Sequence, residues 1–207
     1  MRGSSVVQVL FLGGPPMSGK TSLGKLLAAR LGLSLISVDD LTAAIRGATN
    51  AFTHPELHFM SALDYREYYV QHPPEKLIDD FGKEHATVWE GVRPVAFAHA
   101  TWSSPVLIEG WQLHPEKVAD LSLANVKSIW LAPDRDTLEK RIRADVDFYR
   151  GASSEETMIR HFLERSIFQA SLIDTAARQL KMPVLKIRFG DSLQDIESVA
   201  YALLGVE

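Results

Sequence analysis

The chain has no cysteine. That excludes a disulfide scaffold, a zinc ribbon and thiol catalysis, and it fits a cytoplasmic location. No apolar run approaches the ~18 residues needed to cross a bilayer, so no membrane association is expected. There is no internal repeat and no low-complexity tail. Excess charge is also missing: 22 Lys and Arg stand against 26 Asp and Glu, a formal net charge of -4. A protein that grips nucleic acid through its phosphates carries a basic excess or face, so nucleic acid is not an expected partner. The first residues, Met1 to Leu12, have the outline of a weak signal peptide. Their apolar core is too short, and Gly14-Pro15-Pro16 follows where a cleavage site would be, so the stretch reads as a buried strand.

What is present is an ordinary globular composition. Of 207 residues, 46% are hydrophobic and 23% charged. That length suits one compact domain over 1–207 with a large core. Val6–Leu12 is an apolar run broken only by Gln8, the pattern of a strand buried on both faces. Lys20–Leu31 predicts a helix with Leu23, Leu26, Leu27 and Leu31 on one face and Gly32 as its C-cap. Further strands are predicted at Leu33–Val38, Pro105–Glu109, Val126–Leu131 and Pro183–Phe189. Helices are predicted at Leu41–Arg46, Pro74–Ala100 with a bend near Pro94, Asp134–Ala144, Ser154–Leu180 and Leu193–Leu204. Residues 47–75 predict short helices and loops. Strands that alternate with helices imply an α/β fold with three layers and a parallel five-stranded sheet.

One motif carries chemistry. Gly14-Pro15-Pro16-Met17-Ser18-Gly19-Lys20-Thr21 matches G-x-x-x-x-G-K-[ST] in full, between a predicted strand and a predicted helix. In such a loop the backbone N–H groups cradle phosphates, aided by the positive helix N-terminus that Ser22 continues. The glycines allow the tight turn, Lys20 reaches the β- and γ-phosphates, and the Thr21 hydroxyl can bind magnesium. ATP and Mg²⁺ are the expected cofactors. A GTPase would also need a guanine-reading Asn-Lys-x-Asp, which is not there. Asp79-Asp80-Phe81-Gly82 fits D-x-x-G only by letter, inside a predicted helix. His54 and His58 lack the glutamate spacing of H-E-x-x-H, and a structural metal is not expected.

On these residues the chain resembles the small-molecule and nucleotide kinases of the P-loop class, and most of all 2-phosphoglycerate kinase-like proteins. The likeness is carried by Gly14–Thr21, by Ser37-Val38-Asp39-Asp40-Leu41 with Arg46, by Trp89–Arg93 leading into Ile108–Pro115, and by Arg160–Arg178. Where the family has an arginine three residues after the first aspartate, this chain has Thr42. The resemblance implies a P-loop NTPase fold of nucleoside-kinase type. It further implies an inserted substrate region over about 40–104 and a lid over about 134–165.

Roles follow from the resemblance, each beside a plainer alternative. Asp39 would meet the acceptor hydroxyl and a magnesium-bound water, as general base or as orienter, or else cap the next helix, the role expected of Asp40. Glu109 would bind magnesium through water or touch substrate, or bond loop amides. Arg46 and Arg93 would hold an acidic substrate group. Arg141 would lie near the nucleotide, Arg143 and Arg150 on the lid, and Arg160 and Arg165 would reach inward, or all five would be solvated helix charges. Phe189-Gly190-Asp191 would pack the adenine. The tryptophans, with Tyr65, Tyr68 and Tyr69, are expected in packing roles, with Trp111 at the crevice. The partners expected are a nucleoside triphosphate and a small-molecule acceptor. The acceptor alternatives are 2-phosphoglycerate, a nucleoside, a sugar acid or an antibiotic hydroxyl, as in the chloramphenicol phosphotransferase-like proteins. A non-catalytic nucleotide sensor and a simple ATPase are the rival functions.

Overall fold

In the computed structural model, residues 7–123 and 125–205 are described. In chain order the elements are β1 (Val9–Gly13), α1 (Lys20–Leu31), β2 (Ser34–Ser37), α2 (Val38–Ala48), a 3₁₀ turn at Pro55–Leu57, α3 (Tyr65–Gln71) and α4 (Pro74–Thr101). They continue with β3 (Val106–Gly110), α5 (Pro115–Ala119), β4 (Val126–Pro133), α6 (Arg135–Ala144), α7 (Val146–Tyr149), α8 (Glu155–Gln179), β5 (Val184–Ile187) and α9 (Leu193–Leu204). The five strands form one sheet in the order β2-β3-β1-β4-β5, and every pairing is parallel.

The sheet is apolar on both faces because helices cover both, and the strand sequences show it. Along β1 the side chains alternate. Val9 and Phe11 join Val88, Val92 and Ala96 of α4 and Ile173 and Ala177 of α8 on one face. Leu10 and Leu12 join Leu23 and Leu27 of α1 and Ala200 and Leu204 of α9 on the other. With both faces buried, period-2 alternation leaves no polar position in the body of these strands, which is why Val9–Leu12 and Val106–Ile108 read as unbroken hydrophobic stretches. A third cluster lies among α3, α4, α6 and α8, where Tyr68, Tyr69, Leu77, Phe81, Ile142, Met158 and Phe162 pack together. This is where the aromatic part of residues 47–75 goes: α3 lies on α8 and supplies packing.

Several sequence expectations are corrected. β1 begins at Val9 rather than Val6, and Val6, with the rest of the first six residues, lies outside the described residues. α2 begins at Val38, three residues before the expected Leu41, because Ser37 is its N-cap: the Ser37 side chain accepts from the Asp39 N–H at 3.2 Å. Asp40 is therefore not a cap. It sits exposed in the first turn, where its charge suits the helix dipole. The short helices α5 and α7 fall where none was expected. α4 spans Pro74–Thr101, one residue past the expected end, with Pro94 inside it. No described helix is long and apolar enough to cross a membrane.

Candidate active site

Three adjacent strands deliver the site at their carboxyl ends, the edge where parallel α/β sheets bind ligands. β1 leads into the loop Gly14–Gly19, β3 ends in Glu109-Gly110, and β2 leads into Asp39. Register fixes their approach, since Glu109 pairs with Leu12 on one side and with Ser37 on the other. The loop needs its glycines. A Cβ on Gly13 would stand 2.1 Å from the Trp130 ring, so only glycine lets the indole pack beneath the loop. Gly19 has φ +92° and caps α1 without a side chain. The first N–H groups of α1 thus keep no protein acceptor and face outward for an anion. Met17, at the loop tip, holds φ +61°, a costly conformation for a non-glycine residue.

Lys20 is 7% exposed. Its ammonium donates to the Pro15 carbonyl at 2.8 Å and lies 3.4 Å from Ser18 Oγ. Burial pulls its pKa down to about 8, against the raising effect of Glu109 and Asp39. Thr21 Oγ1 donates to Glu109 Oε1 at 3.1 Å, which joins the two oxygen donors expected at magnesium. Asp39 Oδ1 accepts from Gln112 Nε2 at 2.7 Å and from Trp111 Nε1 at 3.1 Å. Those two bonds fix the carboxylate and leave Oδ2 without a hydrogen-bond partner among the described residues.

On the nucleotide side a cavity of about 600 Å³ is lined by Ser18, Gly19, Arg141, Phe189, Asp191 and Ile196, among others. Arg141 Nη1 donates to the Met17 carbonyl at 3.0 Å, so it braces the strained loop tip and borders this cavity. Phe189 is 54% exposed and lines this cavity, with the Lys140 ammonium 5.0 Å from its ring centroid.

On the other side stands Arg165, 2% exposed. Its guanidinium carbon lies 4.5 Å from the Phe81 ring centroid, 4.7 Å from Trp111, 5.2 Å from Phe162 and 5.7 Å from Tyr69. Among the described residues it makes no ion pair, and its Nε has no hydrogen-bond partner. Beside it Glu84, 1% exposed, accepts from Arg46 Nη2 at 2.6 Å through Oε1, while Oε2 has no partner. Burial raises the Glu84 carboxyl to about 7, against the lowering influence of Arg46 and Arg165. Gln112 Oε1, Gln169 Oε1 and His85 Nε2 are likewise buried without partners around Trp111. A fold rarely buries so many polar atoms together unless a ligand or water completes them. His85 and His114 share a 3.1 Å contact between ring nitrogens, and burial lowers the pKa of both.

Four of the other candidate arginines are spoken for, while Arg160 makes only a 3.4 Å contact with the neighbouring His161 ring. Arg46 is committed to Glu84 and, through Nε, to the Leu57 carbonyl at 2.9 Å. Arg93 is exposed, pairs with Glu90 at 3.3 Å and lies nine residues, ~13 Å, along α4 from Glu84. Arg143 pairs with Glu139 and Glu156. Arg150 pairs with Asp147 at 3.2 Å at the surface. The structure therefore brings together Lys20, Thr21, Asp39, Glu109, Arg141 and Arg165, and leaves Arg93 and Arg150 outside that group. Glu84 went unread in the sequence, yet a signal was there: it sits on the stripe Leu77-Phe81-Val88-Val92, where a charge is out of place.

Neither a family model nor a curated protein matches the chain. Solved structures do. A shikimate kinase from Bacteroides thetaiotaomicron superposes with a TM-score of 0.56 over 96% of this chain and 98% of its own, at 18% identity. A gluconokinase from Sinorhizobium meliloti 1021 gives 0.55 over 95% and 90%, at 17% identity. A sugar kinase from Janibacter sp. HTCC2649 gives 0.55 over 96% and 94%, at 14% identity. The chain has the P-loop α/β fold these structures share.

Proposed function

We propose that the chain is an ATP-dependent phosphotransferase that moves the γ-phosphoryl group of ATP to a hydroxyl of a small anionic metabolite. The observation that carries this reading is Arg165. A nucleotide sensor needs one anion site, the P-loop. Here a second, buried cation stands apart from the P-loop and makes no ion pair among the described residues, because the carboxyl near it, Glu84, is bonded to Arg46. A buried guanidinium with no ion-pair partner is costly, and a carboxylate or phosphate on the acceptor would complete it.

The loop amides and Lys20 bind and orient the triphosphate, and the Phe189 ring borders the space for the base. The Thr21 and Glu109 oxygens suit a hard cation, so they would hold magnesium, with Asp39 reaching it through water. When bound, magnesium neutralises charge on the phosphates. Asp39 accepts the acceptor's proton on Oδ2, and Trp111 and Gln112 keep the carboxylate aimed. The acceptor oxygen bonds to the γ-phosphorus as the bond from that phosphorus to the ADP oxygen breaks. Arg141 holds the loop tip rigid through the Met17 carbonyl. The segment 134–165 serves as a lid that keeps water from the phosphates. The fold neighbours named above include kinases of small hydroxylated molecules, which supports this reading.

The test is ATP consumption with Mg²⁺ against a panel of small hydroxy acids, 2-phosphoglycerate included because the sequence resemblance puts it forward. Consumption should depend on an acceptor. Lys20→Ala should abolish it, and Asp39→Asn should lower it by about 10²-fold or more while ATP still binds. Acceptor-independent consumption, or full transfer by Lys20→Ala, would overturn the reading.

A further inference from the structure

The kinase reading leaves one buried group unused. Glu84 projects from α4 one turn beyond Phe81, and Phe81 is the ring nearest the Arg165 guanidinium. The carboxyl and the guanidinium influence one another's ionisation, and Asp39 also reaches Glu84, yet the two do not pair. Glu84 spends Oε1 on Arg46 and keeps Oε2 unpartnered; Arg165 keeps its Nε unpartnered. A buried carboxyl oxygen and a buried guanidinium nitrogen, each without a partner, suit a group that satisfies both. Such a group presents an anion to Arg165 and a hydrogen-bond donor to Glu84.

Resting on the kinase reading, we propose that Glu84 is a specificity-determining residue. Its Oε2 accepts a hydrogen bond from a hydroxyl or ammonium group of the acceptor, next to the anionic group that Arg165 holds. Asp39, Arg46 and Arg165 are the charged groups whose influence reaches Glu84. Arg46 anchors the carboxyl from α2 and so fixes which oxygen is free. The alternative of a purely structural Arg46–Glu84 pair needs only Oε1, and it gives no reason for Oε2 to be buried without a partner. A site built to receive a donor rejects an analogue that lacks one more strongly than it rejects a missing methylene, because a buried acceptor is then left unpaired.

Matched acceptors give the experiment. Two series serve as probes: the three-carbon set 3-hydroxypropanoate, glycerate and serine, and a six-carbon aldonic acid set with hydrogen, hydroxyl or amino at the carbon beside the carboxylate. Wild-type protein should prefer the hydroxyl or the amino member over the hydrogen member by at least about tenfold in kcat/KM, carried in KM. Which of the two leads tells a hydroxyl from an ammonium donor. In Glu84→Gln the amide oxygen stays on Arg46 and the NH₂ faces the slot, so an acceptor atom becomes a donor. That variant should lose or invert the preference. Thermal midpoints check that it folds, and the wild-type preference alone serves if it does not. Transfer with no preference in the wild type, or with the same preference in Glu84→Gln, overturns the assignment of Glu84 and leaves the kinase reading standing. No transfer to any member, with ATP consumption unaltered by Lys20→Ala, overturns both.

Discussion

The individual side chains that matter most are charged residues held where charge is expensive. Lys20 loses its proton more easily than a free lysine because burial disfavours the cation. Bound phosphates would hold that proton, so the free protein must regain it as nucleotide binds. Affinity for Mg-ATP should then fall as pH rises past about 8, by about tenfold between pH 7.5 and 9. Titration calorimetry in buffers of different ionisation enthalpy would show it; an affinity flat across that range contradicts it. Glu84 works with the opposite sign. Its folded pKa of about 7 lies above the ordinary 4.5. Between those values the fold holds a proton that the unfolded chain has released. This group therefore lowers stability as pH rises through the window, by up to about 3 kcal/mol, and levels off above it. Urea midpoints should fall from pH 4.5 to 7 in the wild type and fall less in Glu84→Gln.

The elements of the fold differ in how plainly the sequence announces them. The strands, α1, α6, α8 and α9 were legible because each is either buried on both faces or carries a clear apolar stripe between caps. Gly32 ends α1 with φ +66° as its position implied, and Asp134 caps α6 through the Thr137 N–H at 2.8 Å. The start of α2 was missed because Ser37 reads equally well as the end of a strand. Residues 47–75 hold the short helices and loops expected of them, but their bounds were not legible, because α3 is held by what it packs against, α8, rather than by its own periodicity. The site divided along the same line. The P-loop is local and its spacing spells it out, whereas Arg165 and Glu84 come under one another's influence only when α4 and α8 pack together. The segment 145–154 makes the same point. Tyr65 donates to the Phe148 carbonyl at 2.7 Å, and Glu67 accepts from the Ser153 N–H and hydroxyl. These bonds tie the proposed lid to α3. The double substitution Tyr65→Phe, Glu67→Gln should raise acceptor-independent ATP hydrolysis severalfold, read as phosphate release. Unchanged release would show that this contact does not control water entry. The cap is testable too: Ser37→Ala should cost about 1 kcal/mol in denaturant unfolding, with the slope unchanged.

For the whole molecule, the site and the core are one object. Gly13 admits Trp130 beneath the loop, and Trp130 is fully buried. Filling that contact should disturb nucleotide binding and stability together. Gly13→Ala should destabilise by about 1–3 kcal/mol and weaken ATP binding, whereas a wild-type affinity in a destabilised variant would separate the two. Ligand linkage runs the other way. At a hundred times its dissociation constant, Mg-ATP should add about 2.7 kcal/mol of stability, a rise of several degrees in Tm, and Lys20→Ala should lose most of it. The central claim is transfer rather than mere binding or hydrolysis. Phosphorus NMR of wild-type protein with Mg-ATP and the preferred hydroxy acid tests it most directly. A new phosphate-ester resonance growing in step with ADP, and missing with Asp39→Asn, is the predicted result. ADP forming with inorganic phosphate alone, whatever the acceptor, would contradict the account.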